Sequence, residues 1–511
     1  MKKAISVLLA LILVLACVSA FAEEPAAAKT PKYVFMFIGD GMGSPQVTAT
    51  QYYLGAIENP DSPVPVPSAL SFTDWSTVGL MTTYDATSFN PDSAATASAM
   101  ASGYKIPSGA INYKYEVATE ENTTEDSVLD KTGQFVLTDS TKIITEYAKE
   151  AGMKIGVISS VSLNHATPAA YYAKQQSRND YYKIGVQALT GTTLDFLGGG
   201  ELRKMYVDDK PNTEDYAAEN GWTIVNTPEG FAAVSADQAP VLANNPDIAD
   251  SSAMAYEIDR VRRVNEGETI LALSDIVKAG LTVIDNEDGF FMMVEGGKID
   301  WAGHANDAAT SIQDTIAFSD AVQVAVDFAA EHPEETLIIV TGDHETGGMT
   351  IGFATTAYDT HFDYLENQTI SFAAFTGLVA DMRESGATFE DALAQIETYY
   401  GLTTTPDTAL SLTDAELASL QAAFDLSMTP DDELVLGDNE KLLYGGYEPL
   451  SMAISHVINN KAGLSYTSYA HTGLQIPVYA MGVNAGLFSG MYDNTDIFTK
   501  TMEAMGLTIA E

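Results

Sequence analysis

Cysteine is almost missing from this 511-residue chain, in which Cys17 stands alone, so no intramolecular disulfide can hold the fold together. Basic residues are scarce as well: 25 Lys and Arg against 70 Asp and Glu leave a net charge of −45. That balance excludes nucleic acid as a partner, because its phosphate backbone would be repelled. It also opposes the approach of any anionic substrate, so an anion site would need local positive charge, which bound dications and one arginine could supply. Otherwise the acidic excess reads as a solvated surface. Apolar runs long enough for a membrane span of roughly 20 residues are lacking too.

The one extended apolar stretch, Ala4 to Val18, follows Met1-Lys2-Lys3 and precedes Ala20-Phe21-Ala22, the layout of a cleaved secretory signal over residues 1–22. The expectation is a secreted, periplasmic or cell-surface protein whose catalytic domain spans 23–511. Val14-Leu15-Ala16-Cys17 is an imperfect lipidation site, so a lipid anchor at Cys17 stands as the alternative to free secretion. With 46% apolar residues, a chain of this length can bury a sizeable core, and core burial and bound metal must do what disulfides do elsewhere.

What the chain does have is a set of apolar, β-branched runs at Tyr33 to Ile38, Ile155 to Ile158, Phe290 to Val294, Leu337 to Val340 and Ile476 to Ala480. They read as fully buried strands. Between them, Ser140 to Ala151 and Ser311 to His332 repeat apolar residues at intervals of three and four, as helices do. Alternation of this kind predicts an α/β fold, a three-layer sandwich with a central, mostly parallel sheet flanked by helices. Two regions fit poorly. Tyr113 to Thr138 is polar and acidic and reads as a surface excursion, while about 355–465 reads as a large insertion.

Polar motifs stand where these strands end, which is where such folds bind ligands. Asp40 follows the first strand in Phe37-Ile38-Gly39-Asp40-Gly41-Met42-Gly43, where a carboxylate could bridge two cations; alone, the phrase is a turn. Ser93, after Asp92, opens a small-residue run suited to a packed helix, whose start favours an anion; alone, it is a capping serine. His165-Ala166-Thr167-Pro168 reads as a turn into a helix with Thr167 at the cap and Pro168 first inside. Arg178, eleven residues after Thr167, would share its helical face and could grip two phosphate oxygens. Glu295 closes a strand, Asp300 and His304 follow at the i, i+4 spacing that joins two ligands on one turn, and Asp343-His344 follows another strand. With Ala470-His471-Thr472-Gly473, these imidazoles and carboxylates read as a metal site suited to zinc. His361, near Asp359 and Asp363, follows no clear strand and carries little.

In order and wording these phrases resemble an alkaline phosphatase, along almost the whole chain. The resemblance implies that Asp300, His304 and His471 hold one zinc, that Asp40, Asp343 and His344 hold a second that also contacts Ser93, and that Asp40, Thr167 and Glu295 hold a magnesium. It implies that Arg178, oriented by Asp92, binds the phosphoryl group, and that Ser93 attacks phosphorus to form a phosphoserine. It further implies hydrolysis of phosphate monoesters and a homodimer. His165 and Trp301 depart from the best-known bacterial pattern, which has aspartate and lysine there, and mark a subgroup with altered surroundings for magnesium and phosphate. The rival readings are a related phosphodiesterase or phosphate mutase, a sulfatase, and a binding protein without turnover. Intact Ser93, Arg178 and metal-ligand candidates argue against the last.

Overall fold

The computed structural model describes residues 29–203, 207–430 and 434–509, so the leader reading and Cys17 lie outside the described residues. Ten strands form one sheet: β1 (Tyr33–Gly39), β2 (Thr77–Thr82), β3 (Lys154–Ser159), β4 (Phe196–Gly199), β5 (Thr223–Val225), β6 (Val241–Asn244), β7 (Phe290–Gly296), β8 (Thr336–Gly342), β9 (Ile476–Gly482) and β10 (Gly490–Asp493). Their order is β10-β2-β9-β8-β1-β7-β3-β4-β6-β5. Every pairing is parallel except those of β9 with β8 and β2. The expected mostly parallel α/β sheet is therefore present.

Alternation of side chains explains the layers. On β1, Val34, Met36 and Ile38 enter one apolar cluster, whereas Tyr33, Phe35 and Phe37 enter another on the opposite face. Both sets are buried, so the strand is apolar at every position, as a covered parallel strand must be. Leu337 and Ile339 against Ile338 and Val340 repeat the division on β8. Each fully buried side chain of this kind contributes about 1.5–3 kcal/mol.

Helices that matter for the site are α1 (Ser44–Glu58), α2 (Ser93–Ser102), α3 (Lys298–His304), α4 (Ala308–Glu331), α5 (Phe372–Ser385) and α6 (Pro449–Ala462). The 355–465 segment is largely helical, and its apolar side chains share a third cluster with Ala302, Ala305 and Ile312 at α3 and α4. It is thus packed onto α3 and α4 rather than standing apart.

Several local expectations differ. Only Ile144–Glu150 of the 140–151 stretch is α-helix, because Phe135–Ser140 pairs antiparallel with Tyr113–Val117, giving the polar excursion a two-stranded ribbon. Thr167 does not cap a long helix: a single turn, Ala166–Ala169, has His165 at its cap position. Arg178 consequently shares no helical face with Thr167. It is placed by its own N–H, which donates to Gly109 O at 2.8 Å, next to the Ile111–Gln175 bridge.

Candidate metal centre and catalytic site

Register brings the carboxylates together. Gly39 lies opposite both Gly296 and Gly342, so β1, β7 and β8 end at one level. Asp40 and Asp343 stand one residue beyond their strands and Glu295 one residue before the end of its own. Gly41 makes the turn possible at φ 71°; a Cβ there would sit 2.9 Å from the Asp300 Cα.

The first cluster is Asp300, His304 and His471. His304 Nε2 lies 3.1 Å from His471 Nε2 and 3.4 Å from Asp300 Oδ1, and His471 Nε2 lies 3.5 Å from the same oxygen. Ligands about 2.0–2.1 Å from a tetrahedral zinc stand about 3.3 Å from one another, so these three atoms have the spacing of three of its corners. The Nδ1–H groups of His304 and His471 donate to the carbonyls of Tyr469 (2.7 Å) and Pro91 (2.5 Å), which turns both Nε2 lone pairs inward.

The second cluster is built alike. His344 Nε2 is 3.2 Å from Asp40 Oδ1, 3.5 Å from Asp343 Oδ2 and 3.1 Å from Ser93 Oγ. Asp343 is held from three sides: the N–H groups of Gly41 and His344 donate to Oδ1, and Thr96 Oγ1 donates to Oδ2. The His344 and His471 rings stack 3.6 Å apart, so the two clusters adjoin.

A third group forms where Asp40, His165 and Glu295 bring ligand atoms within 4.8 Å of one another. Asp40 Oδ1, Glu295 Oε1 and His165 Nδ1 are buried without a hydrogen-bond partner, an arrangement that costs free energy unless a cation takes up those lone pairs. Thr167 Oγ1 donates to Asp40 Oδ2 at 3.3 Å, and Ser159 Oγ donates to Glu295 Oε2.

Electrostatics point the same way. Burial, reinforced by Asp343 and Asp300, drives the Asp40 carboxyl well up. Burial likewise pushes Glu295 up to about 8 and Asp343 up to about 7, with neighbouring carboxylates adding repulsion. Burial works against ionisation of Asp300 too, yet the surrounding imidazoles outweigh it and hold that carboxyl below its ordinary range. Four buried acids converging on four histidines are a donor set that calls for cations. The residues fit divalent metal.

Ser93 opens α2 as its first residue, while Asp92 is the cap, accepting from Ala95 N at 3.1 Å through Oδ1. The other Asp92 oxygen accepts from Arg178 Nη1 at 3.2 Å, so one carboxylate both anchors the serine's helix and aims the guanidinium. Burial acts to raise the Asp92 carboxyl, but Arg178 overrides it and holds it down. Arg178 Nη2 meets His165 Nε2 at 3.2 Å; burial, with Arg178 next, pushes that imidazole down to about 3, leaving it neutral. Ser93, Arg178, His165, Asp300, Trp301, His304 and His471 all line one cavity of about 410 Å³.

The predicted site residues thus converge: Asp40, Ser93, Asp92, His165, Thr167, Arg178, Glu295, Asp300, His304, Asp343, His344 and His471 surround one locus, with Trp301 on the cavity wall. His361 lies apart, stacked on Tyr364 at 4.6 Å. No local motif in the sequence signals Tyr256, Phe372 and Tyr447, which stand on the same wall, or Thr346, whose hydroxyl donates to Asp300 Oδ1.

An α/β sheet whose strand ends gather buried histidines and carboxylates beside a serine and an arginine defines a metal-dependent hydrolase. Comparison makes this specific: the alkaline phosphatase family model matches residues 31–507, and the chain belongs to that family. It is 28% identical over 486 residues to alkaline phosphatase 4 of Bacillus subtilis, covering 93% of this chain and 89% of that protein. Among solved structures, the cold-active alkaline phosphatase of the psychrophile Shewanella sp. is similar with a TM-score of 0.71 and 26% identity, over 93% of this chain and 99% of the other. That of Thermus thermophilus shares the fold with a TM-score of 0.73 at 22% identity, over 95% and 93%. The chain is accordingly a metal-dependent phosphoric monoester hydrolase.

Proposed function

We propose that the chain hydrolyses phosphate monoesters through a phosphoserine at Ser93, using two zinc ions and one magnesium ion. Asp300, His304 and His471 would hold one zinc and Asp40, Asp343 and His344 the other. Asp40, Thr167 and Glu295 would hold the magnesium, with His165, whose free Nδ1 is buried beside them, as a further donor. The observation that carries the reading is the 3.1–3.5 Å spacing within the two histidine clusters, with Ser93 Oγ within 3.1 Å of His344.

Bound dications supply the charge that makes a serine hydroxyl nucleophilic and stabilises the phosphoryl and leaving-group oxygens. The protein's own residues do the rest. Arg178, braced by Asp92, offers a planar fork to two phosphoryl oxygens. Ser93, fixed at a helix start whose unpaired N–H groups favour an anion, forms its bond to phosphorus as the alcohol departs. Water then displaces the serine oxygen and frees inorganic phosphate.

Hydrolysis of an aryl phosphate monoester against the corresponding diester, with and without chelator and in Ser93→Ala, tests this. Monoester turnover lost on chelation and on substitution is expected. Diester preference, or turnover indifferent to Ser93, would overturn it.

His165 and Trp301 are proposed to loosen product phosphate, since a carboxylate and a cation are missing there relative to the bacterial pattern. Stronger phosphate inhibition is expected in His165→Asp/Trp301→Lys; unchanged or weaker inhibition contradicts it. The proposal includes export directed by residues 1–22, a homodimer, and the 355–465 segment as an insertion in a catalytic domain of 23–511.

A further inference from the structure

Beyond the phosphoryl end, the cavity is walled by aromatic rings from two parts of the chain. Trp301 and Tyr256 come from the catalytic layers, and Phe372 and Tyr447 from the 355–465 segment. The rings form a series: Tyr256 meets Phe372 at 5.6 Å between centroids, and Phe372 meets Tyr447 at 5.9 Å. We infer that this wall is a binding site for a flat, uncharged ring in the alcohol half of the monoester, as in a nucleoside monophosphate; the inference rests on the phosphomonoesterase reading above.

The wall is anchored where it would have to be. Ser371 donates through N and Oγ to the two Asp259 oxygens at 3.0 and 2.6 Å, and Phe372 N donates to Asp307 Oδ2 at 2.9 Å. Asp307 also caps α4, three residues after His304, so the Phe372 turn is tied to the start of the helix that follows the one bearing Asp300 and His304. On the other side, the fully buried Lys298 places its ammonium 3.7 Å from the Tyr256 ring centroid and 4.6 Å from that of Trp301. Asp250 accepts from that ammonium at 3.1 Å. Hydrogen bonds to Asp259 and Asp307 fix the Phe372 turn, the Lys298 ammonium backs Tyr256 and Trp301, and Tyr447 packs on Phe372, so the wall is a preorganised surface, which saves a ligand the entropy of ordering it.

Charge decides what such a surface selects. Arg178 is the one Lys or Arg among the described residues lining the cavity, and it belongs to the phosphoryl end. At the far end stand Asp250 and the rings, so a second anionic group would find no partner, whereas a neutral planar group finds aromatic faces. Ring stacking of this kind raises affinity by roughly tenfold per base.

The test compares adenosine 5′-monophosphate with methyl ribofuranoside 5-phosphate, which share the same primary leaving alcohol and differ in the ring. The kcat/KM ratio in the metal-loaded wild type is expected to favour the nucleotide by roughly tenfold. It should shrink in both Phe372→Ala and Tyr447→Ala and be kept in Phe372→Tyr. A wild-type ratio near one, with both esters hydrolysed, overturns the aromatic site alone. So does a ratio that neither alanine variant changes when both retain native circular dichroism. Hydrolysis of neither ester overturns the phosphomonoesterase reading as well.

Discussion

Ser93 and Arg178 are placed by a single neighbour. Asp92 caps the serine's helix with one oxygen and receives the guanidinium with the other, so the proposed nucleophile and the proposed phosphate clamp cannot drift independently. Substituting Ser93→Ala should leave the fold and metal content intact while lowering kcat by on the order of 10³-fold or more, read by steady-state turnover. Loss of metal alongside activity would assign the serine a structural role instead. Arg178→Lys keeps the charge but not the two-pronged geometry. It should raise the KM for a monoester and the inhibition constant of phosphate together, by roughly tenfold. A change in kcat with KM untouched would mean that the arginine acts only in the transition state.

At the scale of elements, the site depends on three parallel strands ending level and on a turn that only glycine makes without strain. Gly41→Ala introduces a side chain at φ 71° and within 3 Å of Asp300, at a cost of about 1–3 kcal/mol from backbone strain alone. The expected outcome is a lower melting temperature together with weaker retention of divalent metal on dialysis; an unchanged metal affinity would contradict the link between turn and site. These elements were legible in the sequence because strands covered on both faces carry continuous apolar runs: β1, β3, β7 and β8 do so, and β9, antiparallel to both neighbours, keeps such a run over Ile476 to Ala480. The short strands β4, β5, β6 and β10 escaped, since four residues or fewer carry no period, and so did β2, whose Thr77-Val-Gly-Leu-Met-Thr82 is interrupted by Gly79. Arg178 was found as a residue but not as geometry. Its position comes from pairing with the 109–111 segment, a contact across more than sixty residues that no helical spacing encodes. Phe372 and Tyr447 were invisible for the same reason: only the docking of the 355–465 segment through Asp259 and Asp307 brings them to the cavity.

For the whole molecule, the consequence of gathering buried acids is a stability that depends on metal and pH together. In metal-free protein, Glu295 and Asp343 titrate near 8 and 7 when folded, above the ordinary carboxylate values they take when unfolded. Below about pH 6.5 the buried imidazoles, pushed down on folding, act in the opposite sense, so it is above that pH that the folded state binds more protons and its stability falls as pH rises toward 8. Chelated protein should accordingly melt at a lower temperature at pH 8.5 than at pH 7, where the histidines are largely neutral folded or unfolded, whereas the metal-loaded protein should lose much less. Equal slopes in both forms would show that the cluster is not the source. A dimeric mass by light scattering is expected, and a monomer at working concentration would contradict the proposed homodimer. The most direct measurement is where the phosphoryl group goes. Acid-quenching the metal-loaded enzyme during turnover of a phosphate monoester and mapping peptides by mass spectrometry should locate phosphate on Ser93, and it should vanish with chelator. Turnover with no phosphate on Ser93, or with phosphate on another residue, would contradict the account.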